Sequence, residues 1–280
     1  MFLNGFLIAS LFYFKMQAAY EDGLFTSIKT SVDSRIDADD TRDSVVVKTM
    51  QVCNYLMSNR LTTFENGASL GATADFFHPT SVDLMTTRGA CGSYSQVLAR
   101  MLASYHYPIR IAQMRAGGIW AAHNLVEVNT GNRWVVLDPT YNVCFVTPDH
   151  RLASFADVHA NWPWYSRQVP RGYDPQYRYE DVRYSNWNKI PLLLPVVKRI
   201  LNLTIGREKA DKISMRTWFL QIYTLYCYLT LLVVISISLF TLRKLIQIKV
   251  FPDPNIPFTR HNLIKYIGLQ IVGKRTGIMH

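Results

Sequence analysis

Ala122-His-Asn-Leu-Val-Glu-Val128 and Arg133-Trp-Val-Val-Leu-Asp-Pro-Thr-Tyr141 are the stretches that decide how this chain folds. Both are strand-like runs, rich in valine and bulky apolar residues. Between them, Asn129-Thr-Gly-Asn132 supplies turn residues, so the pair reads as an antiparallel hairpin. With a two-residue loop centred between Thr130 and Gly131, His123 falls directly opposite Asp138. Imidazole and carboxylate then share one face of the sheet, within pairing distance.

Working outward, Arg88-Gly-Ala-Cys-Gly-Ser-Tyr-Ser95 precedes an apolar stripe of Tyr94, Val97, Leu98, Met101, Leu102 and Tyr105. That spacing predicts an amphipathic helix from Gly92 to about Tyr105, ended by Pro108, with Cys91 at its start. Strands are expected at Ile109–Met114, Ala122–Val128 and Arg133–Asp138, with Gly117-Gly118 turning between the first two. A helix feeding an antiparallel sheet makes the fold class α+β. Further upstream, Val46, Val47, Met50, Cys53, Leu56 and Met57 recur at helical spacing. They predict a helix capped by Asp43 and running to about Arg60. Residues 61–87, with Gly67, Gly71 and Pro79, read as loop with short elements. Residues 145–190 are rich in Trp and Tyr with interleaved arginines; they read as packing over the sheet or as a membrane-interface belt rather than as a cleft wall.

A cysteine attacks as thiolate, so its site must favour the anion. A helix N-terminus carries partial positive charge, and an adjacent histidine can form a thiolate–imidazolium pair. Gly89 and Gly92 leave room for a substrate carbonyl, and free N–H groups of the helix start, that of Cys91 included, are natural oxyanion donors. Cys91, His123 and Asp138 are therefore the candidate catalytic residues: a thiol, a base and the group that orients the base. No metal site and no cofactor are expected, since one Cys, one His and one Asp lack a fourth ligand nearby. Cys53 and Cys144 are left as the pair available for a disulfide in an oxidising compartment.

Three pieces, GACGSYSQVLARMLASYHYPIRI, AAHNLVEV and GNRWVVLDPTYN, carry a resemblance to the transglutaminase-like superfamily. They match its Cys helix, His strand and Asp strand in order, with separations of 32 and 15 residues between Cys91, His123 and Asp138. The resemblance is strong over 88–142 and looser over 42–150. It implies a cysteine-proteinase-like core in which Cys91 is the nucleophile, His123 the general base and acid, and Asp138 the residue that fixes the imidazole. It also implies an acyltransferase, amidohydrolase or peptidase that forms a thioester with a protein, peptide or glycan amide, resolved by water or an amine. Gly92 stands where animal transglutaminases typically have Trp, and Leu125 where many members have an aromatic residue. These departures point away from protein crosslinking and leave acyl transfer intact. The competing readings are a catalytically silent binding module of a membrane or envelope-assembly system, and a membrane cysteine protease.

The net charge of +10 suggests a nucleic-acid partner until its distribution is read. Residues 190–280 carry 13 basic and 3 acidic side chains and account for the whole excess. That excess flanks Trp218–Leu242, 25 residues without a charge, longer than the roughly 30 Å of bilayer hydrocarbon requires. The partner is a lipid bilayer, not nucleic acid. The apolar start, MFLNGFLIASLFYF, reads as a signal-like segment or short anchor, with cleavage plausible near Gln17-Ala18-Ala19. The chain then divides into a signal-like or anchoring segment (1–20), a linker rich in Asp, Ser and Thr (21–41), a transglutaminase-like domain (42–189), an interfacial segment (190–217), a transmembrane helix (218–242) and a basic tail (243–280). This makes a single- or double-pass membrane protein. The signal-like start favours a catalytic domain outside the cytoplasm.

Overall fold

The computed structural model describes residues 2–63, 78–85, 90–131, 133–187 and 192–250. The chain is α+β and divides into two compact units: Lys15–Leu225, and the terminal segments up to Phe14 and from Tyr226. The elements are α1 (Phe2–Asp33), α2 (Arg42–Thr63), α3 (Thr80–Asp83), α4 (Ala90–Ser104), β1 (Ile109–Ala116), β2 (Ile119–Asn129), β3 (Trp134–Asp138), β4 (Val143–Cys144), α5 (Phe155–Ala160), α6 (Trp162–Tyr165), β5 (Asp181–Arg183), α7 (Leu193–Ile205), α8 (Arg207–Asp211) and α9 (Ile222–Val250). The five strands form one antiparallel sheet in the order β4-β3-β2-β1-β5.

Strand alternation sorts the sheet into two apolar faces. Ile111, Val126, Val128, Val135 and Leu137 pack with Met50 and Cys53 of α2 and with Val97, Leu98 and Met101 of α4. Ala112, Met114, Leu125 and Val136 pack with Phe145, Phe155, Val158, Tyr165, Tyr173 and Tyr179. Each fully buried Val, Leu or Ile contributes roughly 1.5–3 kcal/mol. The aromatic segment thus covers the second face of the sheet, and its elements begin at a capping box: Ser154 Oγ accepts from Asp157 N while the Asp157 carboxylate accepts from Ser154 N.

Gly117 and Gly118, at φ of 54° and 81°, form the two-residue loop between β1 and β2, pairing Ala116 with Ile119. Left-handed φ at both positions is what such a loop demands. The pairing then slips: Arg115 faces Trp120, but Met114 faces His123. Ala121, at φ 61°, sits in the resulting bulge immediately before His123.

Several expectations are corrected. The β2–β3 register pairs Asn129 with Trp134 and Val126 with Leu137, so Asp138 lies diagonal to His123 rather than opposite it. Asn129 is the cause. Its Oδ1 accepts from Gly131 N at 2.8 Å, and Thr130 N donates to Arg133 O at 3.2 Å, which lengthens the loop.

Residues 21–33, read as linker, are the second half of α1. Glu21, Phe25 and Val32 are buried at helical spacing, and Glu21 Oε1 accepts from Ser81 N at 2.8 Å. The Thr26, Ser27 and Thr30 hydroxyls satisfy themselves on carbonyls four residues back, so a loop-like composition forms helix here.

The cap of α2 is Thr41, whose Oγ1 accepts from Ser44 N at 3.1 Å, not Asp43. The compact unit that holds the sheet runs on to Leu225. Ala210, Ser214 and Leu220 are buried, and Ser214 Oγ bridges Ile111 N and Ile111 O at 3.1 and 3.0 Å. Cys53 and Cys144 are free thiols. The membrane-length helix begins at Ile222, because Met215–Phe219 is a 3-10 turn. The positions read as loop at 64–77 and 86–87, and the tail beyond Val250, lie outside the described residues.

Phe25→Ala should destabilise the Lys15–Leu225 unit by about 3–5 kcal/mol, the range for buried Phe truncations. Tyr20→Ala, at a 72 % exposed position, should change stability by less than about 0.5 kcal/mol. Denaturant unfolding in detergent checks both; equal small effects would return residues 21–33 to the status of a linker.

Candidate functional site

Cys91 occupies the first turn of α4, so its backbone N–H is among those the helix leaves without an internal partner. Side chains of that turn fix it in place. Ser93 Oγ donates to Asp83 Oδ1 at 2.6 Å, and Ser95 Oγ donates to the Asn124 carbonyl at 3.0 Å. Tyr94 and Ser58 hydroxyls meet at 3.2 Å, joining α4 to α2. Gly92 leaves the thiol's neighbour small; a Cβ there would lie 3.7 Å from Asn124 Nδ2. Gly89, expected to flank the thiol on its other side, lies outside the described residues.

His123 and Asp138 meet as the sequence anticipates, although diagonally. His123 Nε2 lies 2.8 Å from Asp138 Oδ2, with both side chains almost wholly buried. An ionised carboxylate only accepts hydrogen bonds, so Nε2 carries the proton and Nδ1 is the nitrogen left for chemistry. Nδ1 is buried, and the imidazole's other polar neighbour is the Cys91 sulfur; Asn124 Oδ1 is buried with no hydrogen-bond partner among the described residues. Asp138 is held in turn by Tyr173, whose hydroxyl donates to Oδ2 at 2.9 Å, and by Thr140 N and Tyr141 N, which donate to Oδ1 at 3.2 and 3.4 Å. Tyr177 stacks on the imidazole at 4.3 Å between centroids, and Tyr141 meets it edge-on at 5.9 Å.

The three groups couple electrostatically. Burial pushes the Cys91 thiol up, but the His123 imidazole and the Asn124 backbone and side-chain N–H groups outweigh it, and the thiol titrates below its ordinary value. Asn124 Nδ2 donates to Sγ at 3.3 Å. Burial likewise works against charge on His123, yet Asp138 and the Cys91 sulfur raise it to about 9. The arrangement favours thiolate at Cys91 and imidazolium at His123 over their ordinary balance. Arg216, in the 3-10 turn before α9, lies within electrostatic range of the same sulfur; burial lowers its own titration, and the Cys91 charge opposes that. Among the described residues, no three His, Cys, Asp or Glu side chains gather as a metal site.

Sequence reasoning missed Asn124, Tyr141, Tyr173, Tyr177 and Arg216. Asn124 and Tyr141 sat inside the quoted motifs and carried a signal, being polar neighbours of His123 and Asp138. Tyr173, Tyr177 and Arg216 arrive from 35 or more residues beyond Asp138 with no periodicity to mark them. Family models, curated proteins and solved structures give no match to this chain, so the reading of its site rests on this geometry.

Proposed function

We propose that this chain is a membrane-anchored cysteine enzyme with a transglutaminase-like core, which forms a thioester at Cys91 from an amide or ester carbonyl. The observation that carries the reading is a partly exposed thiol, bound by Asn124 and coupled to an imidazole whose far nitrogen is held by a buried carboxylate. In the first half-reaction the Cys91 thiolate attacks the carbonyl carbon. Oxyanion charge develops at the start of α4, where the helix itself leaves the Cys91 N–H without an internal partner. The imidazolium gives its Nδ1 proton to the leaving amine or alkoxide, and the C–N or C–O bond breaks. As the sulfur becomes acylated it loses its negative charge, which frees the Asn124 amide to serve the oxyanion as well. In the second half, Nδ1 takes a proton from water or an amine, which attacks the thioester and expels the thiolate. Water gives hydrolysis or deamidation, and an amine gives transfer. The tyrosines at 141, 173 and 177 wall and fix the imidazole and leave the choice of protein, peptide or glycan amide to the open side of Cys91.

Membrane attachment is supported by Ile222–Lys244, long and apolar enough to cross a bilayer; 23 residues of helix span about 35 Å. Phe14 packs against Tyr226 at 5.2 Å between centroids, and Cys227 Sγ lies 4.0 Å from Leu11 O. The N-terminal apolar run is accordingly read as a retained second membrane segment beside the first, not a cleaved signal. Intact-mass analysis of protein from alkali-washed membranes should show the chain starting before Phe6; a start near Ala19 or Tyr20, or release by the alkaline wash, would overturn this.

The chemistry predicts a pH profile. Turnover, and iodoacetamide alkylation of Cys91, should rise at a pH below that of an ordinary thiol. Turnover alone should then fall through about pH 9, as His123 loses the proton the leaving group needs. His123→Ala removes the charge that outweighs burial, so alkylation should shift to alkaline pH and slow at neutrality by at least about tenfold. An ordinary thiol profile unchanged by His123→Ala would leave only the silent binding module.

Asp138→Asn should lower the His123 titration and cut turnover by a factor on the order of 10² to 10⁴. Asp149→Asn, at the surface, should leave both alone. Imidazole titration by NMR alongside the kinetics would detect a mere folding defect.

A further inference from the structure

We propose that α7 lies in the bilayer surface and that the pocket beside it holds the phosphate of an anionic phospholipid headgroup. The inference rests on the membrane reading above and is independent of the chemistry at Cys91.

A cavity of about 520 Å³ opens beside α7, lined by Trp120, Arg183, Trp187, Lys198, Arg199 and Asn202 among others. None of its described lining residues is acidic. The carboxylate nearby, Asp211, is engaged by Lys198 at 2.8 Å, and among the described residues no carboxylate forms an ion pair with Arg183 or Arg199. Arg183 is pre-set. Its Nε donates to Gln113 Oε1 at 2.9 Å, and its guanidinium lies 5.1 Å from the Trp120 ring centroid. A guanidinium fixed at one edge presents its remaining N–H groups as a fork, the geometry that suits a phosphate. Asn202 contributes a buried Oδ1 that has no partner among the described residues, an acceptor for a headgroup hydroxyl.

The second observation is on the helix itself. Val196, Ile200 and Leu203, spaced i, i+4, i+7, are 56 %, 54 % and 82 % exposed, and Leu192 just before them is 86 % exposed. Arg199 flanks this stripe on the helix surface, and Asn202 and Lys198 follow it round on the side that lines the pocket. An apolar stripe edged by cations is what an interfacial helix presents to acyl chains and headgroups at once. A soluble phosphate ester would fill the pocket and leave the stripe in water. A bilayer of anionic lipid covers both, and the same chain carries a membrane-length helix.

The test uses the full chain in lipid nanodiscs of phosphatidylcholine, alone or doped with phosphatidylglycerol, read by hydrogen exchange of the α7 amides. Phosphatidylglycerol should slow exchange across α7 by about fivefold or more, the scale for one cation at an anionic surface. The slowing should vanish in Arg199→Glu and persist in Arg171→Glu, a charge reversal at an exposed site away from the pocket. No dependence on phosphatidylglycerol, or an equal loss in both variants, would overturn the pocket. Equal slowing by free glycerol phosphate in phosphatidylcholine discs would overturn the lipid as occupant. A chain that stays outside the discs would overturn the membrane reading, and this inference with it; normal incorporation without the lipid effect would overturn this inference alone.

Discussion

The carboxylate of Asp138 is the constraint on which the site depends. It is fully buried between the sheet and the aromatic layer. A charge in that position is expensive to desolvate and persists only when its lone pairs are met. Four donors meet them: His123 Nε2, the Tyr173 hydroxyl, and the backbone N–H groups of Thr140 and Tyr141. The donors come from three parts of the chain: β2, the turn after Asp138 and the aromatic segment. Pro139 turns the chain sharply enough to bring the next two amides back onto Oδ1, and the segment after α6 returns over the sheet to deliver Tyr173. Tyr179 supports that hydroxyl at 3.2 Å, and burial raises both phenols far above their ordinary titration, so they remain donors.

His123 inherits its geometry from this network and from the backbone. The bulge at Ala121 shifts β2 relative to β1 directly before the imidazole. Bulges re-aim the side chains that follow them. Asn124, one residue on, then faces the opposite side of the strand, where its carbonyl and amide engage Ser95 and Cys91 of α4. Two consecutive residues on β2 thus serve the same sulfur from the two faces of the sheet.

How much of this was legible follows from where the information is local. The α4 stripe, the Gly117-Gly118 turn and the three central strands are set by near neighbours, and the sequence displays them. The β2–β3 register depended on one side chain, Asn129, choosing to cap Gly131, and that choice has no counterpart in periodicity. The slip is by two residues rather than one. An even slip keeps every side chain on its face, so His123 and Asp138 still meet, as diagonal neighbours whose long side chains close the gap. The second half of α1 was hidden for the opposite reason. Its Asp, Ser and Thr residues resemble a linker until Arg100 is seen to pair with Asp22, and Tyr105 with Asp33 at 2.5 Å. Those contacts span more than 70 residues. The aromatic segment likewise has meaning only against the sheet it covers.

The other cysteines show what the local field contributes. Cys53 is buried in the apolar layer between α2, α4 and the sheet, and burial alone pushes its thiol up to about 12. Cys144, on β4, is raised for the same reason. Cys91 meets the same desolvation, its largest single influence, and nevertheless titrates lower than normal. The difference lies in what faces the sulfur: an imidazolium held by Asp138 and two N–H groups of Asn124, against hydrocarbon at Cys53. Desolvation alone would make Cys91 the less reactive thiol. With a fixed cation beside it, the same low-dielectric surroundings strengthen the pairing, so the burial that silences Cys53 gives the imidazole its leverage on Cys91.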